Sequence, residues 1–489
     1  MKTCKKALFN KLLVYAVIFL IAFLFMTSGT MNIFQILDTG TDSSVFRTVA
    51  LMMKNGYTPY KDSFDHKGPL LYVINYLGLL INYDHGVWFI EIVFMFFTCL
   101  GIFKISRLSC GVFPSLLIIL VCFNPLFWFF GGGNKTEEYA MSFIAWGLFI
   151  FLDYFLNGKI NRLRLFVCGF GCGCILMLQP NMASMWVVFC LTVLADAIIK
   201  KQLKTIPEFL LFFCLGMLLA IVPFIIWFAA KGALKSFWDT YIGFNYLYTS
   251  FRDGGISLSD QWAVALTFLS EPAILLAFSS ITVIFFLKKD FLSIIYLLYI
   301  LFALFMASVS GFFYEHYFMV MIPAIAYPIS LLFRLCSEKG ADSIVSALLA
   351  VCLLFFALPE WLNLAAWLPG YYNTRNVDCH SEDVKALSAV ICENTSAEDR
   401  ISVYGNWDML YIHSGRLHAT RFSFTAPVID FSAELKDEYF SELEEELPVC
   451  IVVQLEFNDE RMSAFLSENG YEEIFTLDSD NAASVYIKA

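Results

Sequence analysis

Runs of about twenty apolar residues recur through residues 12–367, and nothing else constrains the chain as strongly. A run of that length crosses the ~30 Å hydrocarbon core of a bilayer as a helix. In lipid, only a helix or a closed barrel satisfies its own backbone. Eleven segments qualify: 12–33, 87–106, 112–130, 138–156, 165–179, 182–199, 207–230, 271–287, 291–309, 315–335 and 343–367. Composition agrees: 59% of residues are hydrophobic and 15% charged, against about 25% charged in a soluble domain. The expected fold is an α-helical polytopic membrane protein with about 11 transmembrane helices. A cytosolic enzyme, a coiled coil, a collagen and a disordered chain are excluded. The first run resembles a signal peptide, with Lys2, Lys5 and Lys6 before it. No A-x-A site follows, so it is read as a retained helix.

Charge divides the chain and orients it. Residues 378–489 carry a net charge of −16, whereas residues 1–377 carry +5. The domain reading is therefore a membrane part, 1–375, and a small acidic α/β domain, 376–489. With the N-terminus in the cytoplasm, 16 of the 25 basic residues before 378 fall in short inner segments, from Lys2–Lys11 to Arg334 and Lys339. This is the positive-inside pattern. It implies a multi-pass protein of the plasma (inner) membrane. An odd number of helices then puts the C-terminal domain in the extracytoplasmic space. Clustered Lys/Arg, the mark of a nucleic-acid partner, is missing, so no nucleic acid is expected.

Two outer segments, 34–86 and 231–270, are too long to be mere connectors. Each contains a short apolar stretch, 68–81 and 259–270, that reads as an interfacial helix. In the tail, 382–394, 440–446 and 460–469 read as helices, and 400–404, 449–454 and 483–487 as strands. No GxGxxG, no P-loop and no zinc-type Cys/His spacing is present, so neither a nucleotide cofactor nor a metal is indicated, although a divalent ion stays possible. Most of the 14 cysteines lie in apolar runs and act as small hydrophobes.

Polar residues capable of chemistry form three clusters. The first holds Asp38 and Asp42, which share a face if 38–54 is helical. It continues through Pro59-Tyr-Lys-Asp-Ser-Phe-Asp65-His66-Lys67-Gly-Pro69. A carboxylate at the membrane rim can act as a general base toward a hydroxyl, and Lys67, at the start of an interfacial helix, suits a lipid phosphate. The competing reading is solvated loop charge and a snorkelling lysine. The second cluster is Gly131-Gly-Gly-Asn-Lys-Thr136-Glu137-Glu138. Here Thr136 is a candidate helix cap with the glutamates in the favourable first turn, while the glycines admit close backbone approach to a ligand. The third, Tyr314-Glu315-His316-Tyr317, sits at the outer end of a span. Arg252, beside Asp253, is a weaker candidate.

Read with this topology, Asp42-Ser-Ser-Val-Phe46 followed by His66-Lys67-Gly68-Pro69-Leu70-Leu71-Tyr72 resembles the GT-C superfamily of membrane glycosyltransferases. Within it, the protein O-mannosyltransferases and the lipid A aminoarabinose transferases look most similar. The likeness carries residues 1–140 by motif and the remainder by architecture. Two positions depart from the family pattern: Ser43 stands where a Glu follows the acidic residue, and Gly68 replaces the first residue of a Pro-Pro pair.

The resemblance implies transfer of a sugar from a polyprenyl-phosphate donor to a hydroxyl of a glycan, lipid or protein acceptor. Asp42 would be the catalytic base, and Lys67 and His316 would bind the donor phosphate. Asp38, Asp65, His66, Glu137, Glu138 and Arg252 would support them. The two named families resemble metal-independent enzymes, whereas oligosaccharyltransferases of the superfamily use a divalent ion. The residues alone leave two further readings open, a transporter or flippase of lipid-linked sugars and a non-catalytic assembly protein.

Overall fold

Every one of the eleven apolar segments is helical in the computed structural model, which describes residues 2–158, 161–250, 257–309, 313–338, 343–373, 378–426 and 428–489. Among the described residues, eight helices are long and apolar enough to cross a membrane. The remaining three segments form shorter helices: Arg162–Leu176 with 15 residues, and Pro272–Lys288 and Phe291–Ala307 with 17 each. At 1.5 Å per residue they reach only about 22–26 Å. Pro272–Lys288 continues Leu258–Leu269 across a 93° bend, and taking that pair as one span gives nine. The first helix stops at Met26, short of the end of its apolar run, because the Thr27 and Ser28 hydroxyls donate back to the carbonyls of Leu24 and Phe25, at 2.6 and 2.7 Å.

The chain clusters into two compact units: residues 1–29, 88–224 and 254–373 in one, and residues 30–87, 225–253 and 374–489 in the other. The first is a helical bundle whose contacts are made by aromatic rings and by small residues. Phe25 meets Phe123, Phe127 and Phe130 edge-on at ring distances of 4.9, 5.1 and 5.0 Å. Helices Arg162–Leu176 and Ile206–Ala230 touch through their backbones. A Cβ added to Gly169 or Gly216 would collide with the carbonyl of Phe213 or Phe166 respectively. Without a hydrophobic driving force in lipid, such close backbone approach is what holds a helix pair together.

The second unit centres on a five-stranded sheet with β1 Arg400–Tyr404, β2 Leu417–His418, β3 Cys450–Gln454, β4 Tyr471–Leu477 and β5 Ala483–Lys488. The order is β2-β1-β3-β5-β4, parallel from β2 to β3 and antiparallel beyond. All five residues of β3 are buried, as a central strand covered on both faces requires. Helices Glu382–Asn394, Ala433–Glu446 and Glu460–Glu468 occur where the sequence places helical runs. Strands β2 and β4 were not legible beforehand. Thr41–Lys54 and Pro69–Ile81, on either side of the 55–68 turn, are both helices of this unit. A small core of Ala50, Leu51, Leu79, Val384, Met409 and Ile412 joins them to the helices around the sheet.

Candidate functional site

Asp42 lies in the first turn of helix Thr41–Lys54, whose N-cap is Gly40. Its side chain is half-buried, while Ser43 through Met52 are all buried. The helix starts at Thr41, so the expectation that Asp38 and Asp42 share a helical face is corrected. Asp38 precedes the helix and is used structurally, one oxygen accepting from the Ser381 amide at 3.0 Å.

The 55–68 segment folds tightly on itself. Tyr60 has a φ of 67°, and its amide donates to the Ser63 carbonyl at 2.8 Å. Its ring is fully buried among Tyr72, Phe228, Phe237 and Tyr241. That cage fixes the backbone of Lys67, whose carbonyl accepts from the hydroxyls of Tyr60 at 2.7 Å and Tyr72 at 3.0 Å. Gly68 caps the next helix and Pro69 occupies its first position, where its missing N–H is harmless. Lys67 itself is only 8% exposed, far from the free, snorkelling side chain of the competing reading.

Asp65 is buried. One oxygen accepts from the Tyr72 hydroxyl at 2.9 Å, the other from the His66 amide at 2.8 Å. Burial pushes its carboxyl up to about 6, Lys67 and these hydrogen bonds hold it down in part, and Asp42 raises it further. The same burial, with Lys67 alongside, lowers His66 to about 3 and keeps the imidazole neutral. The His66 carbonyl accepts from Asn245 at 2.7 Å.

Sequence reasoning missed Asp408. It follows the Gly405 turn after β1 and is fully buried. Ser423 and Thr48 stand near enough to lower it, yet neither reaches hydrogen-bond geometry with its carboxylate oxygens. Burial, reinforced by the charge of Asp65, raises it to about 7. The charges of Asp42 and Lys67 reach Asp65, and that of Asp65 reaches Asp408, all in one unit. The signal for Asp408 was a single acid inside Trp407-Asp-Met-Leu-Tyr-Ile412, just past the carboxyl end of a parallel strand, the position where open α/β sheets carry their sites.

Glu137, Glu138 and His316 belong to the other unit. The N-cap of helix Thr136–Asn157 is Lys135, not Thr136, and it makes no side-chain cap. The Thr136 hydroxyl instead donates to Glu137 at 2.8 Å. Asn134 is the hub there: its amide donates to Glu91 at 2.5 Å and Glu138 at 2.8 Å, and its side-chain oxygen accepts from Tyr139 at 2.9 Å. Gly131, Gly132 and Gly133 all have positive φ, and a Cβ on Gly133 would strike the Glu91 carboxyl. The glycines therefore serve this buried turn. His316 is half-buried in a 3₁₀ turn with the rings of Tyr314 and Tyr317 at 5.8 and 4.8 Å. Arg252 lies outside the described residues.

No protein-family model and no curated protein sequence matches the chain. Solved structures do. The chain is similar over 98% of its length to 98% of ArnT from Cupriavidus metallidurans bound to undecaprenyl phosphate, with a TM-score of 0.60 at 12% identity. The apo form of the same transferase gives 0.57 at 12% identity with the same coverage. An oligosaccharyltransferase from Archaeoglobus fulgidus, in complex with Zn and sulfate, is matched over 96% of this chain and 73% of its own, with a TM-score of 0.50 at 13% identity. ArnT, a lipid A aminoarabinose transferase, and the archaeal enzyme are both GT-C proteins. A small C-terminal sheet following a set of polytopic apolar helices, alike over 98% of ArnT, gives this chain the fold of that GT-C protein.

Proposed function

We propose that the protein transfers a sugar from a polyprenyl-phosphate-linked donor to an acceptor hydroxyl at the outer face of the plasma membrane. The observation that carries this reading is the gathering of Asp42, Asp65, Asp408 and Lys67 in one unit of a chain with the GT-C fold. The undecaprenyl phosphate bound to ArnT supports the donor class. The acceptor is a glycan, a lipid or a protein, and no nucleotide takes part.

Asp42 is the general base. The positive end of its helix favours the carboxylate, and its half-exposure leaves it open to a substrate. It takes the proton of the acceptor hydroxyl as that oxygen bonds to the anomeric carbon. The bond from that carbon to the donor's phosphate oxygen breaks, and its electron pair stays on the phosphate. Lys67, at the N-terminal end of helix Pro69–Ile81, meets the charge that develops there. Asp65 and His66 hold the Lys67 segment, and Asp38 supports the start of the Asp42 helix through the Ser381 amide.

The test is reconstitution of the purified chain in proteoliposomes with polyprenyl-phosphate sugars and candidate acceptors. Glycosylated product is the expected result. Movement of the intact lipid-linked sugar between leaflets without product would make the protein a flippase and overturn the assignment.

A further inference from the structure

We infer that Asp378, His380 and His413 form a binding site for a transition metal ion of the zinc class. Asp378 and His380 are two residues apart, Asp378 at a parallel bridge to Ile36 and His380 in the bend that follows. His413 comes from the last turn of helix Met409–Ser414. One donor atom from each residue lies within 4.8 Å of the other two. His380 Nδ1 stands 2.6 Å from one Asp378 oxygen, and His413 Nε2 stands 3.7 Å from the other. The two imidazole rings are 4.6 Å apart.

Two imidazoles and one carboxylate converge here from separate stretches of the chain. The other nitrogen of His413 is buried with no hydrogen-bond partner among the described residues. A divalent ion among the three groups takes both imidazoles in their neutral form. Tetrahedral zinc, with bonds of about 2.0–2.2 Å, needs donor atoms roughly 3.3 Å apart, within reach of small side-chain rotations here. Two nitrogens and one oxygen suit zinc and its neighbours, whereas calcium and magnesium require oxygen donors. The ligands come from distant parts of the chain, which is why no zinc-type spacing appears in the sequence.

The site lies where segments meet. The Cys379 amide donates to the Ile36 carbonyl at 2.9 Å, and the Ser381 amide donates to Asp38 at 3.0 Å. Ser381 in turn caps helix Glu382–Asn394. A bound ion would pin that helix start and helix Met409–Ser414 to residues 36–38, just ahead of Asp42. The inference does not depend on the transfer reaction.

The experiment uses the untagged full-length protein in detergent, stripped with chelator and titrated with Zn²⁺. One equivalent should bind and raise Tm, with Mg²⁺ and Ca²⁺ doing neither. Co²⁺ in place of Zn²⁺ should give visible absorption of a site with nitrogen ligands, a readout that needs no variant. His380→Ala, His413→Ala and the milder Asp378→Asn should each weaken Zn²⁺ binding by at least about tenfold. Absence of stoichiometric Zn²⁺ binding in the wild type, or unchanged binding in the His380→Ala/His413→Ala double variant, overturns the site.

Discussion

Asp42 and Asp38 are four positions apart, and the proposed reaction gives the proton chemistry to Asp42. Asp38 spends one oxygen on the Ser381 amide. Asp42→Asn keeps the size and polarity of the side chain and removes its basicity, so sugar transfer should fall roughly 10²–10⁴-fold. Asp38→Asn should cost much less. Rates of purified variants that bind donor normally decide this, and a near-wild-type Asp42→Asn would move the base elsewhere. Lys67→Met retains the buried apolar stem and drops the charge. It should abolish turnover while Tm and membrane insertion persist, and unchanged donor affinity with unchanged turnover would exclude a phosphate contact. Asp408 carries a pH signature. Its folded value, about 7, lies above the ordinary aspartate value of 3.8. The native state therefore holds more protons than the unfolded chain between these values, and stability falls as pH rises through that window. Asp408→Asn should accordingly flatten the Tm-versus-pH curve between about pH 4 and 7 and exceed the wild type above it. A variant whose Tm tracks the wild type at every pH would show that Asp408 carries no such penalty. Asp42, Asp65 and Lys67 were legible in the sequence because one short stretch of chain holds them. Asp408 was not, because only the fold brings the loop after β1 into the same unit.

Legibility at the level of elements followed burial. Apolar runs gave every helix of the bundle, since each residue of a span contributes to the pattern. The central strand β3 was equally plain, buried along its whole length. Strand β4, Tyr-Glu-Glu-Ile-Phe-Thr-Leu, was hidden because it lies at the sheet edge with Glu472, Glu473 and Ile474 exposed and a bulge between Glu473 and Phe475. Its pairing with β5 is dictated by a neighbour and not by its own alternation. The helix from Thr41 was over-extended to residue 38 for a related reason: Gly40 ends the helix backward, and a one-residue cap leaves little trace among polar neighbours. The glycine contact between Arg162–Leu176 and Ile206–Ala230 yields a prediction of its own. Gly216→Leu must push the helices apart, and overpacking of this kind costs about 1–3 kcal/mol. Thermal unfolding should show the loss. Gly111→Ala is the control, because its Cβ would meet nothing closer than 3.7 Å. Equal Tm values for the two variants would mean that the backbone contact does not hold the pair.

Across the whole molecule, the order of segments in the two units departs from their order in sequence. Residues 30–87 and 225–253 cluster with 374–489, and no local composition announces that grouping, since each stretch reads as a loop between spans. Charge, in contrast, is what the proposed orientation rests on. The short turns after Thr136–Asn157 and Ser184–Ile199 hold much of the basic inner-loop excess, and their cations pair with acids at the adjoining helix ends. Arg164 pairs with Asp153, Lys200 with Asp196 at 2.9 Å, and Arg162 with Glu208 at 2.7 Å. The Arg162–Glu208 pair puts the starts of Arg162–Leu176 and Ile206–Ala230 at one level, which the positive-inside rule assigns to the cytoplasm. The number of crossings then fixes the tail. Eleven crossings leave residues 378–489, with their net charge of −16, in the extracytoplasmic space, whereas eight would leave them in the cytoplasm. A reporter fused after Ala489 should therefore read extracytoplasmic, and one inserted in 157–164 cytoplasmic. If both read cytoplasmic, the even count of eight is right, and a sheet-bearing unit in the cytoplasm would be on the wrong side of the membrane for an outer-face transferase.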